Sequence, residues 1–114
     1  MTNESSADGT GDAGSVRASG TEHALAEVRA AIDDIDRRIV DLLAERHGWV
    51  ERAGELKRDE QGVRAPDRVE QVVEKVRSLA EQAGASPDVV ERTYRAMIAA
   101  FVDLELIVHR RGRS

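Results

Sequence analysis

The longest uninterrupted helical pattern in the chain begins near Glu22 and ends at about Lys57 or Arg58. No proline falls inside it, and Gly48 and Gly54 are weak points that a helix tolerates. Apolar residues recur in it at steps of three and four, which is the period of an α-helix: Leu25, Val28, Ile32, Ile35, Ile39, Leu42, Trp49, Ala53 and Leu56. The sequence therefore predicts a first helix roughly 50–55 Å long.

Such a helix is long for a chain of 114 residues. A compact globule of about 100 residues has a radius of gyration near 13 Å, so part of the apolar stripe would lie beyond its core. We therefore expect an intertwined homodimer in which two long helices pair and the shorter helices pack on both. The alternative is a monomeric bundle whose first helix breaks near Gly48 or Gly54.

Two shorter helices are predicted after a loop over 59–65. Pro66 suits the first turn of a second helix, which carries several valines and stops at Gly84. Ser86 and Pro87 provide an N-cap and a first-turn proline for a third helix. The expected fold class is all-α, with one long and two shorter helices per chain.

The two ends of the chain differ in composition from this helical domain, which we place at residues 22–109. Residues 1–21 are rich in Gly, Ser, Thr, Asp and Glu and nearly free of large apolar side chains, which predicts a disordered tail. Residues 110–114 are basic and are expected to fray, or to contact a larger synthase partner.

Composition excludes several classes of protein. The formal net charge of −5 argues against a nucleic-acid binder. The absence of cysteine excludes disulfides and thiolate chemistry, and the three histidines show no metal-ligand spacing. No apolar run approaches the roughly 20 residues that span a bilayer, and no secretory signal is visible, so a cytoplasmic location is expected.

Cations lie on or beside the apolar stripe of the first helix. Arg46 and Lys57 are eleven positions apart, so they point the same way within roughly 20° and lie about 16 Å apart along the axis. Arg29 is about 25 Å from Arg46 on a straight helix and could share a ligand with it only through an antiparallel second chain. Each cation alone could snorkel or pair with a carboxylate. The set, with Arg68, favours a small anionic ligand.

Glu105 falls on the apolar stripe of the third helix, in step with Ile98, Phe101 and Val108. Burial there favours the protonated, hydrogen-bond-donating form of a carboxyl group. A salt bridge to an arginine is the alternative.

These residues together resemble the all-α chorismate mutase family. The resemblance lies in the run Leu25–Asp36, the segment Leu42–Arg46, Lys57 and the run Ala65–Arg68, and it extends over about Leu25–Leu106. As a combination the fragments are specific, whereas each alone would be weak.

The resemblance implies an intertwined dimer with two active sites that bind a small dicarboxylate. Arg46, Lys57 and Arg68 match the substrate-gripping cations of one subunit, and Arg29 matches the arginine that the other subunit supplies. Glu105 matches the residue that donates a hydrogen bond to the substrate's ether oxygen. The implied reaction is the rearrangement of chorismate to prephenate, toward Phe and Tyr, which requires no nucleophile, metal or cofactor.

Three positions depart from the family pattern. Val69 stands where many members have a Glu, Ala65 where some have an Asp, and Phe101 where a small polar residue is expected. An isochorismate-pyruvate lyase or a 4-amino-4-deoxychorismate mutase would fit these departures on the same fold. A non-catalytic helical dimer that acts as a regulatory partner is a further alternative.

Overall fold

The computed structural model describes the backbone of residues 13–112 and the side chains of residues 20–112. Its elements over that range are α1 (Ala13–Leu56), α2 (Glu60–Arg64), α3 (Pro66–Ala83) and α4 (Pro87–Gly112). The all-α class with one long and two shorter helices is confirmed. The prediction of a plain loop over 59–65 is wrong, because a five-residue helix lies there. None of the helices described is long and apolar enough to cross a membrane.

α1 is one helix of 44 residues without a break at Gly48 or Gly54. The predicted start near Glu22 is wrong, because α1 begins at Ala13, so residues 13–21 do not belong to a disordered tail. Adding a residue to an existing helix costs far less than nucleating one, which lets the helix extend through a poor helix-forming composition. The rest of the predicted tail, residues 1–12, lies outside the described residues.

The chain divides into two units within α1, a first unit that ends at Leu43 and a second that begins at Ala44. In the described part of the first unit α1 is the only element. Its apolar stripe is about half exposed, from 43% at Leu25 to 64% at Leu42. Nothing else described in this unit covers the stripe.

The second unit holds the buried core. Val73, Val76 and Ala80 form the buried face of α3, and Leu106 is buried on α4. Gly84, with a φ of 77°, ends α3 in the left-handed conformation that a residue with a side chain rarely adopts. Ser86 Oγ then accepts a hydrogen bond from the backbone N–H of Val89 and caps α4, as the sequence predicted.

Arginines also hold α3 and α4 together on their exposed side. Arg95 makes a bidentate pair with Glu70, with both N···O distances at 2.9 Å, and a further bond to Glu91. The hydrogen bond from Arg95 lowers the pKa of the Glu70 carboxyl, and Arg95 and then Arg77 lower that of Glu91. These pairs orient the two helices more than they stabilise them, because exposed ion pairs contribute little.

α2 is held from both sides. Asp59 caps it by accepting a hydrogen bond from the Gly62 N–H at 2.8 Å, and Val63 is 2% exposed. Arg110 of α4 donates two hydrogen bonds to Glu60, at 2.7 and 3.0 Å, and this hydrogen bonding lowers the pKa of the Glu60 carboxyl. The predicted fraying from residue 110 is therefore wrong as far as Gly112, where α4 ends; residues 113 and 114 lie outside the described part.

Ala65 joins α2 to α3 with φ 36° and ψ 62°, in the left-handed region. A residue with a Cβ pays about 1–2 kcal/mol for that conformation. The strain is offset locally, since the Ala65 N–H bonds to Gln61 and its carbonyl accepts from the Val69 N–H at 3.1 Å.

Ala65→Gly should therefore raise the free energy of unfolding by about 0.5–1 kcal/mol, because glycine adopts the left-handed region without strain. Urea unfolding at one fixed protein concentration measures the change. The matched control is Ala99→Gly in the exposed middle of α4, which should lower the free energy of unfolding by about 1 kcal/mol. Equal losses in the two variants would contradict the strained junction.

Candidate active site

A cavity of about 300 Å³ opens in the second unit between the end of α1, the α2–α3 junction and α4. Its walls are largely apolar, with Val50, Val63, Val72, Ile98 and Val102 among the lining residues. Four cations also line it: Arg46, Lys57, Arg64 and Arg68. An apolar pocket with several converging cations suits a small anion that carries more than one negative charge.

Lys57 and Glu105 form an ion pair at this cavity. The Lys57 ammonium donates to Glu105 Oε1 at 3.0 Å and lies 3.5 Å from Oε2. The Glu105 side chain is 6% exposed and that of Lys57 is 29% exposed. Glu105 is buried, as the helical period predicted, but its partner is a lysine and not the arginine considered as the alternative.

Gly54 lets α1 approach this carboxylate closely. A Cβ at position 54 would lie 3.5 Å from Glu105 Cγ and 3.6 Å from Oε1, which is ordinary van der Waals contact, so the two positions pack directly against each other. Gly54, a weak point of α1 in the sequence, is therefore the position at which the helix packs against Glu105.

Phe101 holds two side chains of α1. The Arg46 guanidinium lies over its ring at 5.3 Å from the centroid, a cation–π contact, and the His47 ring meets it edge-on at 5.9 Å. The Arg46 side chain is thus held at the cavity by contact with an aromatic ring, and its N–H groups can still donate to a carboxylate.

The α2–α3 junction supplies the remaining wall. Arg64 is the last residue of α2, and Arg68 lies in the first turn of α3, three positions after Ala65. Ala65 and Val69 line the cavity between them and bring no polar side chain. Both cations are exposed and sit at the mouth of the site.

The structure brings six of the seven predicted site residues to this cavity: Arg46, Lys57, Arg68, Val69, Phe101 and Glu105. Arg29 lies on α1 in the first unit and is not among the lining residues. Sequence reasoning missed Arg64. The signal was its place directly before the Ala65–Arg68 run, but the helical turn of α2 that aims it at the cavity was not predicted.

The chain belongs to the family described as chorismate mutase type II, whose model matches residues 28–106. A curated relative from Pseudomonas aeruginosa, named isochorismate pyruvate lyase, is 32% identical over 90 residues, which cover 79% of this chain and 89% of that protein. The matched region contains every residue of the cavity.

Lys57→Met should lower the free energy of unfolding by about 1–3 kcal/mol, because it leaves the buried Glu105 carboxylate without its ammonium partner. Adding Glu105→Gln should recover part of that loss, so a double-mutant cycle in urea should show a coupling of about 1 kcal/mol or more. Lys75→Met, at an exposed lysine of α3, should change the value by less than about 0.5 kcal/mol. Strictly additive effects at Lys57 and Glu105 would rule out the pair.

Proposed function

We propose that the protein is a chorismate mutase that rearranges chorismate to prephenate in the cavity of the second unit. The observation that carries the proposal is the Lys57–Glu105 pair at a cavity lined by three further cations. Membership of the chorismate mutase type II family supports the substrate class.

The reaction needs positioning and charge stabilisation, and the residues present offer both. Chorismate carries two carboxylates, for which planar guanidinium groups are suitable clamps. Arg46, braced on Phe101, would bind one of them, and Arg68 would act from the α3 side. Holding the reactive conformer of a single substrate molecule can lower the barrier by several kcal/mol, and no covalent step is required.

Lys57 and Glu105 would act on the ether oxygen, where negative charge develops as the carbon–oxygen bond breaks. An ammonium has three donors, so Lys57 can keep its bond to Glu105 and donate to the ether oxygen as well. Glu105 holds the ammonium in place by accepting its hydrogen bond at 3.0 Å, which would leave the other ammonium donors for the ether oxygen.

We further propose that a second copy of the chain completes the site with its Arg29. The support is the uncovered stripe of the first unit, in which Leu25, Ile32 and Ile39 follow one another at seven-residue spacing and about half of each side chain is exposed. A seven-residue apolar repeat is typical of helices that pair in a supercoil. The matching stripe of another copy is the partner that fits it.

An isochorismate pyruvate lyase is the second candidate, favoured by the name of the Pseudomonas relative. The apolar Ala65 and Val69 also support it, because they stand where mutases of the family contact the ring hydroxyl. Both reactions break the same enolpyruvyl ether bond, so the Lys57–Glu105 pair would serve either one.

The test incubates purified protein separately with chorismate, isochorismate and 4-amino-4-deoxychorismate and separates the products by chromatography. We expect turnover of chorismate, with prephenate as the product. Arg46→Ala should lower kcat/KM by about two orders of magnitude or more while the helical circular dichroism stays intact. Arg92→Ala, at an exposed arginine of α4 outside the cavity, is the control and should keep full activity. If only isochorismate is turned over and salicylate is the product, the protein is a lyase and not a mutase. If none of the three compounds is turned over, the proposal of an enzyme fails and the alternative of a non-catalytic dimer remains.

A mixture of inactive Arg29→Ala and Arg46→Ala chains, unfolded and refolded together, should recover part of the activity. In a hybrid dimer one of the two sites receives neither substitution, so about a quarter of wild-type activity is expected from random pairing. Each variant refolded alone is the control. If the mixture stays as inactive as its components, the site is not shared between subunits.

A further inference from the structure

We propose that Arg64 is a substrate-binding cation that selects a neutral ring substituent over a ring ammonium, so that the protein accepts hydroxylated substrates and rejects their aminated analogue. The inference rests on the proposed function, because it concerns the substrate of that same site. It assigns a role to a residue for which the family resemblance offered none.

The position of Arg64 is set by local structure. It is the last residue of α2, and the helix ends there because Ala65 turns into the left-handed conformation and returns its N–H to Gln61. The buried Val63 side chain fixes α2 against the core. Arg110 of α4 fixes the start of α2 through its two hydrogen bonds to Glu60. Arg64 is therefore carried at the cavity mouth by a segment fixed at both ends.

The charges around the cavity give Arg64 its effect. The lining residues include four cations, and their one carboxylate, Glu105, already binds Lys57 at 3.0 Å. The nearby Glu60 carboxylate is held bidentately by Arg110 and does not line the cavity. A substrate with two carboxylates suits this arrangement, whereas an ammonium on its ring would find no free carboxylate among the lining residues.

The apolar neighbours of Arg64 sharpen the discrimination. Ala65 and Val69 have no polar side-chain atom, so their side chains offer no acceptor to the three N–H donors of an ammonium. A hydroxyl group is neutral and has a single O–H donor to satisfy, so placing it beside these apolar side chains costs much less free energy. Repulsion between Arg64 and a ring ammonium about 5–6 Å away would be worth a factor of roughly three to ten in affinity, depending on the local dielectric.

The test compares wild type, Arg64→Gln and Arg64→Lys on the three compounds used above. The hydroxylated compound that wild type turns over best is the reference, and the 4-amino compound is measured both as a substrate and as a competitive inhibitor. Wild type should prefer the reference by about tenfold or more. Arg64→Gln should raise KM for the reference compound and lower the ratio of kcat/KM for the reference to that for the 4-amino compound by about three- to tenfold. Arg64→Lys retains the charge and should leave this ratio unchanged.

Two controls separate a local charge effect from a general one. Arg92→Gln removes an exposed arginine of α4 outside the cavity and should leave the preference unchanged. Raising the ionic strength should weaken the preference in wild type and not in Arg64→Gln, because the exposed Arg64 charge is screened by salt.

Equal use of the 4-amino compound by wild type, or an unchanged preference in Arg64→Gln, would overturn the proposal. If no compound is turned over, the proposed function fails by itself. Equilibrium binding of the same three compounds, measured by calorimetry, then decides the role of Arg64: a preference for the hydroxylated compounds that is lost in Arg64→Gln supports it, and equal affinities overturn it.

Discussion

The ion pair between Lys57 and Glu105 joins the end of α1 to α4 across 48 positions of sequence. It places the one carboxylate of the cavity lining, and it uses that carboxylate to neutralise one of four cations. Gly54 is small enough for α1 to close on Glu105, so the packing of the long helix and the charge of the site depend on the same contact. Removing either partner would leave an unbalanced charge in a largely apolar wall.

An intramolecular rearrangement suits a site of this kind. Such a reaction needs no activated nucleophile, so under the proposed function the protein would hold the substrate in its reactive shape and place fixed positive charge where negative charge develops. Helices are good supports for such groups, because their side chains are positioned by regular backbone and neighbouring packing. Arg46 on the Phe101 ring and Lys57 on Glu105 are both oriented by protein contacts.

Helical period predicted most of the fold and much of the site. It placed α3 and α4, the burial of Glu105 and the shared direction of Arg46 and Lys57, because these follow from regular spacing. It missed α2, since five residues with a glycine are too short for a period and the Asp59 cap alone is a weak signal. Arg64 was missed with it. Composition also gave a wrong prediction of disorder for residues 13–21, where the first helix continues.

The proposed dimer ties the formation of the site to the association of two chains. Arg29 lies in the unit whose apolar stripe is half exposed, so the residue that would reach the partner's site is carried by the surface that would pair. Burial of that apolar stripe between two chains would supply the free energy that places Arg29 at the partner's cavity. The net positive charge of that cavity would then increase by one. A dianionic substrate offsets that charge, and for this reason its binding should strengthen association of the two chains.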